Sequence, residues 1–105
     1  MITREMIETR NEYLVLINEI TGVSTDEIMG KRRNDEISMA RQLLIWALYE
    51  LYGYTTIDIG TLVHRHHTTV TYGVKSVNTG HLPERMEEAR QKILAYYKRK
   101  SALKN

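Results

Sequence analysis

The chain has 105 residues, 42% of them hydrophobic and 27% charged, the composition of one ordinary globular domain; disordered and collagen-like architectures are excluded. Zero cysteines remove disulfide scaffolds, Cys-rich zinc sites and Cys nucleophiles, and agree with a reducing cytoplasm. The net charge of +2 hides an uneven distribution: residues 1–30 carry two basic and six acidic groups, residues 31–75 six and four, and residues 76–105 seven and three. A positive later two-thirds suits a polyanion-facing surface, and equally a set of solvated helix faces.

From Thr3 to Ile20 the apolar residues Met6, Tyr13, Ile17 and Ile20, with Ile7 and Leu14, recur at helical spacing, and Gly22 ends the segment. Ser24 and Glu27 stand at capping-box spacing, which predicts a short helix from Thr25 to about Met29 with a stop at Gly30. Lys31-Arg32-Arg33-Asn34-Asp35 has no apolar periodicity and reads as an exposed basic loop. Between Glu36 and Tyr52 the positions Ile37, Ala40, Leu44, Ala47 or Leu48, and Leu51 mark a central core helix, widened by Trp46 and ended by Gly53.

Thr55 and Asp58 form a further cap-like pair for a short helix to about Val63, followed by a turn at His64 to His66. His67 to Val77 places Val70, Val74 and Val77 on one helical face, but its β-branched residues leave a strand as competitor. After Thr79-Gly80, Pro83 sits near the start of a last helix with Glu84, Glu87 and Glu88 early and Lys98, Arg99 and Lys100 late, as the helix dipole favours. The longest apolar run, Leu43 to Tyr49, is far shorter than the ~20 residues of a membrane span, and the charged segment from Arg4 to Glu12 does not resemble a signal sequence. The expected location is cytoplasmic, at the nucleoid if the partner is DNA.

Two short helices joined by a tight turn after a long amphipathic helix describe a helix-turn-helix, and also a plain helical hairpin. The polar start of the second helix suits the first reading, since His67, Thr68 and Thr69 stand where a recognition helix meets base edges and phosphates, but periodicity alone leaves the two readings equal. Gly30-Lys31-Arg32-Arg33, Ala40-Arg41-Gln42, Ile59-Gly60 and His67-Thr68-Thr69-Val70, with Lys75 following, closely resemble the C-terminal DNA-binding domain (domain IV) of the bacterial replication initiator DnaA. The resemblance covers about residues 23–77, with the helix-turn-helix at about 55–77. It implies an all-α, Trp-repressor-like fold of about six helices for a single domain spanning residues 1–105.

The resemblance also implies roles. Arg33 would enter the minor groove with Lys31 on phosphate beside it; a narrow A/T-rich groove attracts Arg electrostatically. His67 and Thr68 would contact bases in the major groove and Thr69 the backbone. Arg41, Gln42 and Thr55 match phosphate-contacting positions, and Thr56 and Ile57 positions near thymine methyls. The chain departs from the family at His64-Arg65-His66, one residue shorter than the common Gly-Gly-Arg-Asp. His66 thus replaces an Asp that caps the recognition helix and accepts from a cytosine amino group, and neutral His, with one acceptor nitrogen, is the poorer cap. Asp35 stands where a further basic residue is frequent. The implied partner is double-stranded DNA carrying a DnaA box of the TTATCCACA type, with altered preference at one base pair.

A phosphate loop needs Gly-x-x-x-x-Gly-Lys-Ser/Thr, but around Gly30-Lys31 the outer positions are Thr25 and Arg32. No nucleotide or other cofactor is expected. His64, His66, His67 and His81, spaced two, one and fourteen residues apart with no Cys, fit no strong zinc pattern, and the scattered carboxylates suggest no enzyme. Tyr49, Tyr52 and Tyr54 read as packing residues rather than a stacking platform, and the basic end with Lys98, Arg99, Lys100 and Lys104 as a solvated helix terminus. An initial Met and a full first helix suggest a small stand-alone protein rather than a fragment. The competing function is a protein-protein or transcription-regulator module, in which Met6, Tyr13, Ile17 and Ile20 dock a replication protein or a second copy.

Overall fold

The computed structural model describes residues 1–80 and 82–103; His81, Lys104 and Asn105, which the metal and basic-end readings included, lie outside the described residues. Six helices follow one another: α1 (Arg4–Thr21), α2 (Thr25–Met29), α3 (Asp35–Glu50), α4 (Thr56–Val63), α5 (His67–Thr79) and α6 (Glu84–Leu103). The described residues form no strand, and none of these helices is long and apolar enough to cross a membrane.

Side chains at the helix starts set the boundaries. Thr3, Ser24, Asn34, Thr55 and His66 each accept a hydrogen bond from a backbone N–H of the helix they precede, and Ser24 and Glu27 complete the reciprocal capping box. The core helix begins at Asp35 and ends at Glu50 rather than running from Glu36 to Tyr52. Its exit is set by Gly53, whose φ of 69° lets the Gly53 and Tyr54 N–H groups reach back to the Tyr49 and Leu48 carbonyls.

The α3 helix packs against all five other helices and is the base of the molecule. Leu43, Leu44, Ile45, Ala47 and Leu48 are all essentially inaccessible, so α3 is apolar almost all round in its second half. Burying each Leu or Ile side chain contributes about 1.5–3 kcal/mol. Met6, Tyr13 and Ile17 of α1 join this core and Ile20 packs partly against it. That stripe is therefore occupied within the chain, which removes it as a docking face. Residues 67–79 are helical despite their β-branched content, because Val70, Val74 and Val77 fill the core at helical spacing and Gly73 lies against Ile45.

The C-terminal helix is fastened by polar contacts around tyrosines. Tyr52 donates to the Tyr13 hydroxyl at 2.7 Å, and Glu12 accepts from both Tyr96 and Lys100. Burial, reinforced by Tyr52, pushes the Tyr13 hydroxyl pKa upward. Tyr52 and Tyr54 thus pack, as read from sequence, while Tyr49 stays 39% exposed. Trp46 donates to Asn78 at 3.2 Å under the Arg90 guanidinium, joining α3, α5 and α6.

Gly60 permits the close approach of α4 to the following turn: a Cβ there would lie 2.6 Å from the Arg65 carbonyl oxygen and 3.4 Å from the His67 nitrogen. Backbone cannot rotate out of the way as a side chain can. Gly60→Ala is expected to destabilise the chain by about 1–3 kcal/mol, read as a lower urea midpoint with unchanged slope. An unchanged midpoint would show that the turn is not held this tightly.

Candidate nucleic-acid interface

The basic loop between α2 and α3 has no apolar side chain to anchor it, and a buried arginine does so instead. Arg41 is only 7% exposed. Its Nε donates to the Ile28 carbonyl at 2.8 Å, and its Nη2 lies 3.1–3.2 Å from the carbonyls of Glu27, Gly30 and Arg32. This is a planar fork of donors gathering the end of α2 and the loop onto α3. Burial lowers the Arg41 pKa from its ordinary value, and the nearby Arg65 and Arg33 cations push the same way. Lys31 and Arg33 project from this braced backbone, both exposed. Arg32 lies 4.0 Å from Glu27 and is 77% exposed, an ion pair of little strength.

The turn between α4 and α5 is His64-Arg65-His66. His64 takes left-handed angles, φ 57° and ψ 44°, and closes α4. Arg65 donates to its neighbour, the His64 carbonyl, at 3.0 Å and, across the molecule, to the Gly30 carbonyl of the basic loop. His66 caps α5, its Nδ1 accepting from the Thr68 N–H at 3.3 Å. His67, Thr68 and Thr69 follow as an exposed first turn without an acidic residue, so the positive end of the helix dipole is not neutralised.

Two shallow clefts flank that turn. One, of about 290 Å³, is lined by Arg33, Arg41, Gln42, Arg65, Thr69 and Tyr72 with Ser38, Ile45 and Gly73, and none of its lining residues is acidic. Three guanidinium groups converge on it from the loop, the core helix and the turn. The other cleft brings Ile57, 66% exposed, beside Thr61, His64, His66 and His67. Thr55 and the half-buried Thr56 lie at the start of α4, where the Thr55 hydroxyl oxygen accepts from the Asp58 N–H. Lys31 lines neither cleft.

Of the sequence-derived residues, Arg33, Arg41, Gln42 and Thr69 share the first cleft and Ile57, His66 and His67 the second, while Lys31, Thr55, Thr56 and Thr68 line neither. Arg41 was read as a phosphate contact; in the structure its donors are largely taken by loop carbonyls, and it positions Lys31 and Arg33. Arg65 and Tyr72 were not singled out. Arg65 lies in the turn between α4 and α5, and Tyr72, 68% exposed, is a large aromatic on α5. Among the described residues no group of three His, Asp or Glu side chains converges as metal ligands would.

A helix-turn-helix with an exposed polar recognition-helix start, beside a braced basic loop, defines a DNA-binding helix-turn-helix domain. The chain belongs to the family described as "Bacterial dnaA protein helix-turn-helix", whose model matches residues 14–77. It is similar to the chromosomal replication initiator protein DnaA of Kosmotoga olearia, 33% identical over 70 residues that make up 65% of this chain and 16% of the relative. It is also similar to that of Pseudothermotoga lettingae, 31% identical over 61 residues, 58% of this chain and 14% of the relative. The match thus spans about a sixth of the length of these curated relatives. No solved structure matches the chain significantly.

Arg41→Ala is expected to lower stability by about 2–3 kcal/mol, since hydrogen bonds from a charged donor contribute about 1.5–3 kcal/mol each. Arg41→Lys should recover little of this, because an ammonium lacks the planar fork. Urea denaturation measures both, and a wild-type midpoint in Arg41→Ala would refute the bracing role.

Proposed function

We propose that the chain binds double-stranded DNA in a sequence-dependent manner, at a DnaA-box-like site, and takes part in replication initiation or its control without catalysis. The observation that supports this best is the joining of the basic loop and the recognition helix along one acid-free, arginine-lined cleft. A phosphate seated at that cleft relieves the mutual repulsion of three cations. With α5 in the major groove, His67 and Thr68 reach base edges and Thr69 the backbone, while Arg33 enters the adjacent minor groove and Lys31 meets phosphate. In this reading Gln42 and Thr55 make further phosphate contacts, and Ile57 and Thr56 meet thymine methyls.

The described residues share one hydrophobic core, which supports reading residues 1–105 as a single DNA-binding domain. Occupying a box also excludes any other protein that reads the same box, so competition with an initiator follows from binding alone. Such a chain works at the nucleoid, in the cytoplasm.

Fluorescence anisotropy of a box-containing duplex against a scrambled duplex of equal composition, at two salt concentrations, tests this reading. Arg33→Ala and His67→Ala should each reduce the preference for the box by ~1–3 kcal/mol, whereas Lys31→Ala should weaken both duplexes alike and lower the salt slope by about 1. Equal, salt-sensitive binding of both duplexes by the wild type would overturn sequence-dependent recognition.

A further inference from the structure

The cap of the recognition helix fixes which nitrogen of His66 is free. The first N–H groups of α5 have no intrahelical acceptor, and the Nδ1 of His66 takes that of Thr68 at 3.3 Å while lying 2.9 Å from the Thr68 hydroxyl. A ring nitrogen that accepts carries no hydrogen, so the neutral imidazole holds its proton on Nε2. With the ring so capped, the free nitrogen, Nε2, is a hydrogen-bond donor, and among the described residues no hydrogen bond engages it.

His66 is exposed at the rim of the cleft that also holds Ile57 and His67. Its ring lies alongside that of His67 with centroids 4.3 Å apart and planes tilted by 33°. The two rings thus stand side by side at the exposed start of α5. We propose that His66 is a specificity-determining residue whose Nε2–H selects an acceptor-bearing major-groove edge at the base step next to the one His67 contacts. The inference rests on the proposed docking of α5 in the major groove. Guanine, with O6 and N7, presents acceptors only and satisfies the donor; cytosine presents its N4 amino group, which sets donor against donor. Thymine O4 and adenine N7 are the remaining acceptors.

Asn and Asp are both strong helix caps, so H66N and H66D keep α5 closed and differ in what they turn outward. With one oxygen on the cap, Asn presents an amide donor and Asp a second acceptor oxygen. The test is selection from a randomised duplex pool with wild type, H66N and H66D. Wild type and H66N are expected to enrich guanine or another acceptor edge at one position, and H66D to enrich cytosine at that same position, a change in base preference on the order of tenfold, with the rest of the motif unchanged. If all three chains enrich one identical motif, or wild type prefers cytosine there, the role of His66 is overturned and sequence-dependent binding stands. A wild-type chain that enriches no motif overturns the DNA-reading proposal and this inference with it.

Discussion

The buried guanidinium of Arg41 is the interaction on which the binding face depends. Withdrawing a cation from water costs several kcal/mol unless its donors are satisfied, and a carboxylate partner is the common solution. Here the partners are backbone carbonyls at the end of α2 and in the basic loop. The loop gains an anchor it lacks in its own side chains, and the cation is hydrogen-bonded without being neutralised. The cleft therefore keeps its full positive charge, to which Arg33 and Arg65 add theirs. Like charges held this close oppose the free state and favour an anion, and the fold bears that repulsion because α3 is packed on every side.

The Gly30 carbonyl links the two reading elements. It accepts from Arg41 of the core helix and from Arg65 of the turn that leads into the recognition helix. Loop and recognition helix are thus referenced to one point on the backbone rather than tethered separately. In the proposed docking such fixed spacing favours binding, because contacts that must be ordered at the moment of binding lose part of their free energy to entropy.

Much of this was legible in the sequence. Caps and helix-ending glycines have local chemistry, so Ser24 with Glu27 and Thr55 with Asp58 marked helix starts that the structure places at Thr25 and Thr56. The motif Ile59-Gly60 with His67-Thr68-Thr69-Val70 carried the family. What local chemistry left open was decided by packing: the β-branched residues 68–71 suit a strand, but the surface of α3 accepts Val70, Val74 and Val77 only at helical spacing. Arg41 shows the opposite limit. It follows Ala40 and stands four residues after Ile37, beside the apolar stripe, so its burial was in the pattern, but its charge and its motif position both pointed to the surface.

The turn between α4 and α5 shows how far a single glycine reaches. Without a Cβ at residue 60 the chain folds back on α4 closely enough for the Arg65 N–H to meet the Gly60 carbonyl at 2.8 Å. Three residues suffice for the reversal only if one of them enters the left-handed region, which His64 does at a cost of about 1–2 kcal/mol; His is among the non-glycine residues enriched there. With His64 so placed, Arg65 reaches the Gly30 carbonyl and His66 falls on the cap of α5. A longer turn would meet the same end points with more freedom, so a three-residue connection is a stiff one. The close approach at Gly60 thereby brings His66 to the start of α5, where its own contact to the Thr68 N–H holds the ring.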